Sequence, residues 1–401
     1  LENFQITASG EILDSMDNCA LDSPVAGECF SGPFLPEAQP FWDAGEEIPA
    51  PDSRNLFTSL PAVPGDKVPF DITLQAADLG VVFPPLIPYT GSTALNAEGL
   101  TDEIVENARG CKFGTGVLSG DVATPVACEE RPWLLGDIFH SNPLLVGPPA
   151  LFLGEPSYNQ FETNYATRKR AIYAGANDGF LRGFLAGVWD AGATPPAYDH
   201  GTGEELFGFM PWAGRQNIKD LPIAVGNRNL YFVDGSPTVT DAWFYTNPTT
   251  ADKAADGSEW HTVIVGGMRQ GGETYYALDI TDPDAVSYPD YLWEFPREGA
   301  PASIADYVGQ TWSEPILTRI RVKVGLDDNA GAGFERWVAI FAGGYDPSGD
   351  PNNFAAYDAA ATKGRAIFVV DIKTGEILAM KHFDPAGDPE ESQMLYAIAS
   401  T

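Results

Sequence analysis

Short runs of β-branched, aliphatic and aromatic residues alternate with turns rich in Gly, Pro and Asp, and this pattern occurs three times along the chain. Each occurrence opens with a polar or acidic residue, a proline and a β-prone run, at residues 140–146, 234–239 and 312–317. A second β-prone run then ends in glycine. From the proline to the first glycine of that ending, the separations are 32, 29 and 28 residues. Such regular spacing indicates an internal repeat.

Each repeat contains two more β-prone runs. The third runs are residues 180–185, 275–280 and 367–372, and the fourth runs are 206–209, 292–295 and 377–380. Four short strands per unit are typical of propeller blades, because neighbouring blades bury the two open faces of each four-stranded sheet. We therefore predict an all-β fold, a β-propeller of four-stranded blades. The blades are predicted at approximately 134–215, 230–297 and 308–384.

Two connections in the first unit also give predictions. Asn177-Asp178-Gly179 predicts a hairpin with a primed turn, because such turns require positive φ. The segment Val188 to His200, rich in Ala, Gly and Pro, predicts a loop between the third and fourth strands.

Three blades do not close a ring, because known propellers have roughly four to eight. Further strands must come from residues 1–130 or from beyond Thr401, and residues 393–401 resemble the first strand of another unit. Because that strand is cut off, we expect the chain to be a fragment; the start at Leu1 without an initiator Met indicates a processed or fragment end.

The first 130 residues carry most of the loop character. Residues 36–64 are dense in Pro, Asp and Glu, and the acidic run 101–107 predicts one short helix. We interpret 1–130 as a loop-rich N-terminal elaboration that can contribute strands to the propeller, and 131–401 as the propeller itself.

Composition and charge narrow the function classes. The chain has 23 Lys+Arg and 56 Asp+Glu, a formal charge of −33, which argues against binding nucleic acid or an anionic membrane. At 44% hydrophobic residues it can bury a full core. Gly (42) and Pro (33) disfavour a helical bundle. No apolar stretch reaches the roughly 18–20 residues of a membrane helix, so we predict no transmembrane segment.

All four cysteines, Cys19, Cys29, Cys111 and Cys128, belong to the N-terminal elaboration. The two close pairs favour Cys19–Cys29 and Cys111–Cys128 bridges among three connectivities. A zinc site is the alternative, but no C-x-x-C spacing occurs and no His precedes His140. Disulfides predict an oxidising compartment, and hence a secreted or surface-exposed protein.

Catalytic motifs give no support for an enzyme. His140 and Ser141 are adjacent on a predicted strand, so their side chains would point to opposite faces. The sequence has no G-x-S-x-G elbow, H-E-x-x-H helix or phosphate-binding G-x-x-x-x-G-K-[ST] loop. His200, His261 and His382 are isolated in the sequence and are interpreted as surface or structural residues.

Four aromatic residues lie at or near predicted loops: Trp189, Tyr198, Trp212 and Trp243. They could contact a sugar or another protein. The alternative is that they pack between blades.

Several motifs resemble a known family, and they keep that family's order. They are LGDIFHSNP at 135–143, YAGANDGFLRGF at 173–184, FVDGSP at 232–237, VGG at 265–267, YALDITDP at 276–283 and LWEF at 292–295. They resemble the C-terminal propeller of the PilC/PilY type IV pilus-associated proteins over roughly residues 131–401. Many members of this family carry a von Willebrand A-type domain upstream, which this sequence lacks.

The resemblance implies a secreted, fimbrium-associated protein at the cell surface or pilus tip of a bacterium. Its function would be pilus assembly, opposition to retraction, adhesion and surface sensing. The implied partners are pilins or minor pilins, and host or abiotic surfaces, with no catalysis and no organic cofactor.

Two alternatives remain open. One is a quinoprotein-dehydrogenase-like propeller enzyme, because residues 367–376 resemble its Ala-x-Asp-x-x-Thr-Gly repeat; here Val369 replaces the Ala, and no adjacent Cys-Cys pair occurs. The other is a propeller scaffold for outer-membrane protein assembly.

The resemblance also implies calcium, but the family's own calcium loop would follow a strand like the one at 393–401. Within this chain the best candidate is Asp346, Ser348, Asp350 and Asn352, which place oxygen ligands at alternate positions. Gly is at the fourth position of this loop and not the sixth, and no Glu is at the twelfth. The alternative is a polar hairpin loop. A second acidic group is interpreted as turn-forming: Asp279, Thr281, Asp282 and Asp284.

Overall fold

The computed structural model describes residues 5–6, 12–13, 41–223, 230–246, 252–322, 334–347 and 363–382. The chain divides into two compact units, Leu1–Asp43 and Ala44–Thr401. In the first unit, strands β1 (Gln5–Ile6) and β2 (Ile12–Leu13) form an antiparallel pair. All other described elements belong to the second unit.

The second unit is mostly β-structure. Its strands are β3 (Leu56–Ser59), β4 (Lys67–Pro69), β5 (Leu144–Val146), β6 (Arg170–Gly175), β7 (Leu181–Gly187), β8 (Trp189–Asp190), β9 (Ala197–Tyr198), β10 (Glu205–Met210), β11 (Thr238–Trp243), β12 (Trp260–Gly267), β13 (Tyr275–Asp279), β14 (Asp290–Phe295), β15 (Ile316–Val322), β16 (Phe334–Ala342), β17 (Ala366–Asp371) and β18 (Ile377–His382). Its helices are α1 (Ala76–Leu79), α2 (Ala97–Arg109), α3 (Pro156–Asn164), α4 (Trp212–Asn217) and α5 (Ala302–Ala305), with 3₁₀ turns at Pro51–Ser53 and Ile218–Ile223.

Three sheets match the three sequence repeats. The second sheet has the order β11-β12-β13-β14 and the third β15-β16-β17-β18, each antiparallel throughout. The first sheet has six strands, in the order β4-β3-β10-β7-β6-β5. The two extra strands come from residues 56–69, and β3 pairs in parallel with β10, with Leu56 opposite Gly208.

The middle sheet is buried on both faces because its strands alternate strictly. On β13, Tyr275 and Ala277 belong to the core shared with the third sheet, whereas Tyr276 and Leu278 belong to the core shared with the first. Successive residues of a strand point to opposite faces, which explains the division. The predicted stacking of blade-like sheets is therefore present in the described residues.

Glycines that end the second strands of the first and second repeats let the backbone just before the next sheet approach closely. A Cβ on Gly175 would lie 2.0 Å from the Val233 carbonyl oxygen, and one on Gly267 would lie 2.6 Å from the Thr311 oxygen. Any side chain at these positions would collide with backbone. At these two positions, glycine therefore permits a close contact with the chain that leads into the neighbouring sheet.

Two local predictions in the first repeat are confirmed only in part. The 177–179 turn does connect β6 and β7 as a hairpin, and the segment 188–200 does lie between the third and fourth strands, β7 and β10. In the Asn177-Asp178-Gly179 turn only Gly179 has positive φ, at 115°, whereas a primed turn of type I′ needs two such residues. The segment from Val188 to His200 is not simply a loop, because it contains the β8–β9 hairpin. Its cross-strand rings, Trp189 and Tyr198, pack edge to face with centroids 5.2 Å apart.

The N-terminal part of the second unit is organised around helix α2. The helix is longer than the predicted 101–107 because the Asn96 side chain accepts the Gly99 N–H at 2.8 Å and so starts it earlier. Just after the helix, Cys111 bonds Cys128 with an S–S distance of 2.01 Å, so this predicted bridge is confirmed. Cys19 and Cys29 lie outside the described residues.

Candidate protein-binding site

Three sequence motifs converge just before β5 and β11, which are edge strands of the first and second sheets. The Asn177 side chain donates to the Asp137 carboxylate at 2.9 Å and accepts the Phe232 N–H at 3.1 Å. The Asn177 N–H also bonds the Asp137 carbonyl at 3.0 Å. One asparagine in the hairpin turn therefore joins the segment before β5 to the segment before β11.

His140 and Asp234 form the closest polar contact of this junction. His140 Nδ1 lies 2.5 Å from Asp234 Oδ2, and the His140 N–H donates to Asp234 Oδ1 at 3.2 Å. Both residues stand three positions before the proline of their repeat. The polar residues that open consecutive repeats thus bind each other, which fixes the relative position of two sheets.

Apolar side chains project from the same segment into solvent. Phe139 is 62% exposed, and its ring centroid lies 4.2 Å from that of His140 and 6.5 Å from that of Tyr231. We name the exposed apolar residues from 133 to 152 the inner apolar segment. Its members are Trp133, Ile138, Phe139, Leu145, Leu151 and Phe152. Of these residues, Phe139 also has aromatic neighbours, which makes it the leading candidate for contact with a partner.

A buried ionic cluster contacts the chain next to this segment. Arg182 bonds both Asp178 and Glu205, and Glu205 also binds Arg54, with Arg54 Nε 2.7 Å from Glu205 Oε2. Asp178 accepts the Gly136 N–H at 2.7 Å, which attaches the family motif directly to the cluster. We name Arg54, Asp178, Arg182 and Glu205 the ionic junction.

Burial and charge set the protonation of the ionic junction. Burial lowers the pKa of Arg182 to about 10, and the Asp178 carboxylate partly offsets that effect. Burial alone would raise the pKa of Asp178, but the neighbouring Arg182 guanidinium holds it below its usual value. Asp178 and Arg182 are therefore ionised at neutral pH and hold the turn by charge-assisted bonds.

The residues tested as catalytic have structural partners. Ser141 accepts the Gly175 N–H at 2.9 Å, while His140 binds Asp234, so the two adjacent side chains do not pair with each other. They precede β5 and do not lie on it, contrary to the predicted strand position. In the quinoprotein-like run, Asp371 Oδ1 accepts the N–H of Lys373 and of Thr374 at 2.9 and 3.2 Å, and so closes a turn.

The predicted calcium loop is described only at its first residue. Asp346 is 3% exposed and accepts the Lys363 N–H at 2.9 Å, whereas Ser348, Asp350 and Asn352 lie outside the described residues. Among the residues that the structure describes, no group of three His, Cys, Asp or Glu side chains could hold a metal ion. The calcium site stays a prediction.

The second acidic group forms turns, as predicted. Asp279 Oδ1 accepts the Thr281 N–H at 2.9 Å, and Asp282 Oδ1 accepts the Asp284 N–H at 3.0 Å. Sequence reasoning missed a further role of Asp279, whose other oxygen lies 2.6 Å from His261 Nδ1. The pair forms because Val263 is opposite Asp279, so His261 is a diagonal neighbour on the same face. Only the strand register reveals it.

The four aromatic candidates are mostly engaged within the fold. Trp243 is 2% exposed and belongs to the core between the second and third sheets, which agrees with the packing alternative. The Trp212 ring N–H donates to the Pro296 carbonyl at 2.9 Å. Trp189 and Tyr198 contact each other in their hairpin. Phe139, which sequence reasoning did not select, is more exposed than any of the four.

In the described part of the chain, no helix is both long enough and apolar enough to cross a membrane.

Comparisons with known proteins agree with the motifs. Residues 135–383 match the family profile described as the PilY1 beta-propeller domain. The chain is 31% identical over 259 residues to the type IV pilus biogenesis factor PilY1 of Pseudomonas aeruginosa strain UCBPP-PA14, covering 62% of this chain and 17% of that protein. It is also 31% identical over 202 residues to a PilY1 homolog of Xylella fastidiosa strain Temecula1, covering 49% of this chain and 14% of that one.

A solved structure is also similar. The crystal structure of the Pseudomonas aeruginosa PilY1 C-terminal domain is 26% identical and covers 60% of this chain and 37% of its own, with a TM-score of 0.35. The chain therefore spans about a sixth of the curated relatives it matches, at 17% and 14% of their lengths.

Proposed function

Because the chain belongs to the PilY1 β-propeller family, we propose that it is an extracellular type IV pilus biogenesis factor that acts by binding pilins or minor pilins and carries out no catalysis. Its place is the bacterial cell surface or the pilus tip. Assembly, opposition to retraction, and adhesion to host or abiotic surfaces would all follow from such binding.

The observation that carries this proposal is the inner apolar segment. Its central residue, Phe139, lies inside the matched family region and is held out in solvent by a rigid base, since His140 binds Asp234 and Gly136 binds Asp178. Exposed aromatic side chains on a rigid support are favourable contact residues, because little conformational entropy is lost on binding.

The test is recovery of the full protein with sheared, sedimented pili. We expect Phe139→Asp to lower that recovery at least tenfold, because a carboxylate would be buried in an apolar contact. The matched control is Leu118→Asp, since Leu118 is 71% exposed but lies outside the family match. Equal recovery of the two variants, with unchanged melting temperatures, would contradict the proposed contact. Failure of the unaltered protein to sediment with pili would contradict the function itself.

A further inference from the structure

A groove of about 940 Å³ runs along the β14 edge of the second sheet. Strand β14 lies in it. One wall is the loop between β3 and β4, and the other is formed by the loop that leads into α5 and by the turn between β17 and β18. This is the opposite edge of the sheet from β11 and the motif junction.

Strand β14 has one hydrogen-bonded neighbour in the described part of the chain, β13. An edge strand directs a row of backbone N–H and C=O groups away from its sheet, and these groups are a template for another strand. The six residues of β14 span about 20 Å. An extended segment of similar length could therefore pair along it.

The two walls suit the alternating side chains of such a segment. Glu294 of β14 faces the first sheet, where it binds Ser59, while Trp293 and Phe295 belong to the core shared with the third sheet. An added strand would alternate in the same way, because the side-chain period of a strand is two. The walls it would meet are largely apolar: Leu60, Pro61, Val63 and Pro64 on one side, and Pro301, Ile304 and Ile377 on the other.

The charged side chains of the groove indicate which charge a bound segment should carry. Two carboxylates of the groove are already engaged, because Glu298 pairs with Arg215 and Glu294 is buried against Ser59. The carboxylates that remain are those of Asp66 and Glu376, against the guanidinium of Arg297. Asp66 and Glu376 are exposed at the rim. A partner segment with a basic residue beside its apolar ones would complement this pattern.

We propose that this groove binds an extended peptide segment of a partner protein, apolar at alternate positions and basic at one end, which adds to β14 as a further strand. Main-chain hydrogen bonds to β14 supply the affinity, and the apolar walls select the side chains. The inference goes beyond the proposed function, since it concerns a different surface and does not require the inner apolar segment.

The probe is the acetylated, amidated peptide TVTITVK, titrated into the full chain. We expect saturable binding and slower hydrogen exchange of the backbone amides of residues 290–295. The control peptide is TVPIPVK, in which two prolines remove amide donors needed for pairing. It should bind at least tenfold more weakly.

A protein variant tests the wall. Val63→Arg should weaken TVTITVK binding at least tenfold, because a long cation would fill the groove and repel the peptide's lysine. The matched control is Val188→Arg: Val63 is 39% exposed and Val188 is 36% exposed, but Val188 does not line the groove. Both positions are on the surface, so both variants should keep the melting temperature of the unaltered protein.

Four results would overturn the inference. They are equal binding of the two peptides, equal binding by the two variants, protection confined to residues other than 290–295, or β14 amides already protected in the free protein. If the β14 amides are already protected in the free protein, its oligomeric state shows what covers them. A dimer would indicate that a second copy occupies the groove, and a monomer would indicate that another segment of the same chain does. Sedimentation with pili reports the proposed function separately from all of these.

Discussion

Two junctions of this molecule are buried equally well but built from opposite chemistry. Between the second and third sheets, aromatic rings meet: Tyr275 stacks on Phe341 with centroids 4.0 Å apart, and Phe295 meets Phe368 at 4.9 Å. We name this the aromatic junction. Where the N-terminal region meets the first sheet, the ionic junction buries two arginines and two carboxylates, and Arg182 is fully buried.

The two junctions differ because one joins two sheet faces and the other joins a strand to a sheet edge. A sheet face presents alternate apolar side chains, so two repeats join face to face through the hydrophobic effect. The N-terminal strands instead join a sheet edge, since β3 pairs alongside β10, and Arg54 lies two positions before β3. A buried ion pair adds little net stability, but removal of one partner is costly because it leaves the other charge buried and unpaired. The second and third sheets are thus held together by buried apolar surface, whereas the N-terminal region is held to the first sheet by specific ion pairs.

The largest test is Arg182→Met, which removes the guanidinium that contacts both Asp178 and Glu205. We expect the free energy of unfolding to fall by about 3–5 kcal/mol, because the Asp178 carboxylate loses its arginine while remaining buried. Chemical denaturation with an unchanged m-value measures it. The matched control is Arg319→Met on β15, where the arginine is 46% exposed and pairs with Glu155, and where we expect at most about 1 kcal/mol. A similar loss at both positions would contradict the role of the ionic junction.

The second test concerns Glu294, a buried carboxylate held by neutral donors: the Ser59 hydroxyl, and the Trp212 N–H at 2.7 Å. Burial raises its pKa to about 7. Its contribution to stability is therefore fully present below the unfolded value near 4.5 and is lost as the pH rises through 7. We expect Glu294→Gln to remove about 3 kcal/mol of the change in unfolding free energy between pH 4.5 and pH 8.

The control for this pH test is Glu106→Gln. Burial also raises the pKa of Glu106 to about 7, so that variant should keep the Glu294 contribution while losing its own. A pH profile of Glu294→Gln that superimposes on the profile of the unaltered protein would show that Glu294 ionises normally in the fold.

The third test probes the tolerance of the aromatic junction. Phe341→Leu should cost roughly 1–2 kcal/mol, because leucine fills much of the ring's volume. Arg182→Lys, an equally conservative change, should cost more, because an ammonium group lacks the two planar N–H groups with which Arg182 contacts Asp178 and Glu205 at once. Thermal and chemical unfolding of both variants measure these losses of unfolding free energy. A larger loss for Phe341→Leu than for Arg182→Lys would contradict the distinction between the junctions.

The smallest test is the calcium prediction, which concerns the third sheet only. If the loop beginning at Asp346 binds calcium, a concentration ten times the dissociation constant should stabilise the fold by about 1.4 kcal/mol and raise the melting temperature. Asp350→Ala should abolish that rise. Absence of any shift at saturating calcium would remove this site.

The sequence predicted the repeat because its signals are local. Strand runs, turn residues and the proline-to-glycine spacing reappear as β11 to β18 with the predicted order. Cys111–Cys128 was also predictable, since the pair is only 17 residues apart. The candidate site was predicted in part: His140 and Phe139 stand in the family motif, but the partner of His140 is 94 residues away.

What the sequence alone determined is therefore the three four-strand units and the family to which they belong. Only the tertiary structure decided how those units are joined: Arg54 to Glu205 across 151 positions, β3 beside β10, and β14 at the floor of a groove. The physical reason is the sequence distance over which each interaction acts. Alternation and turn chemistry act between neighbouring residues, whereas ion pairs and strand edges depend on which distant segments the fold brings into contact.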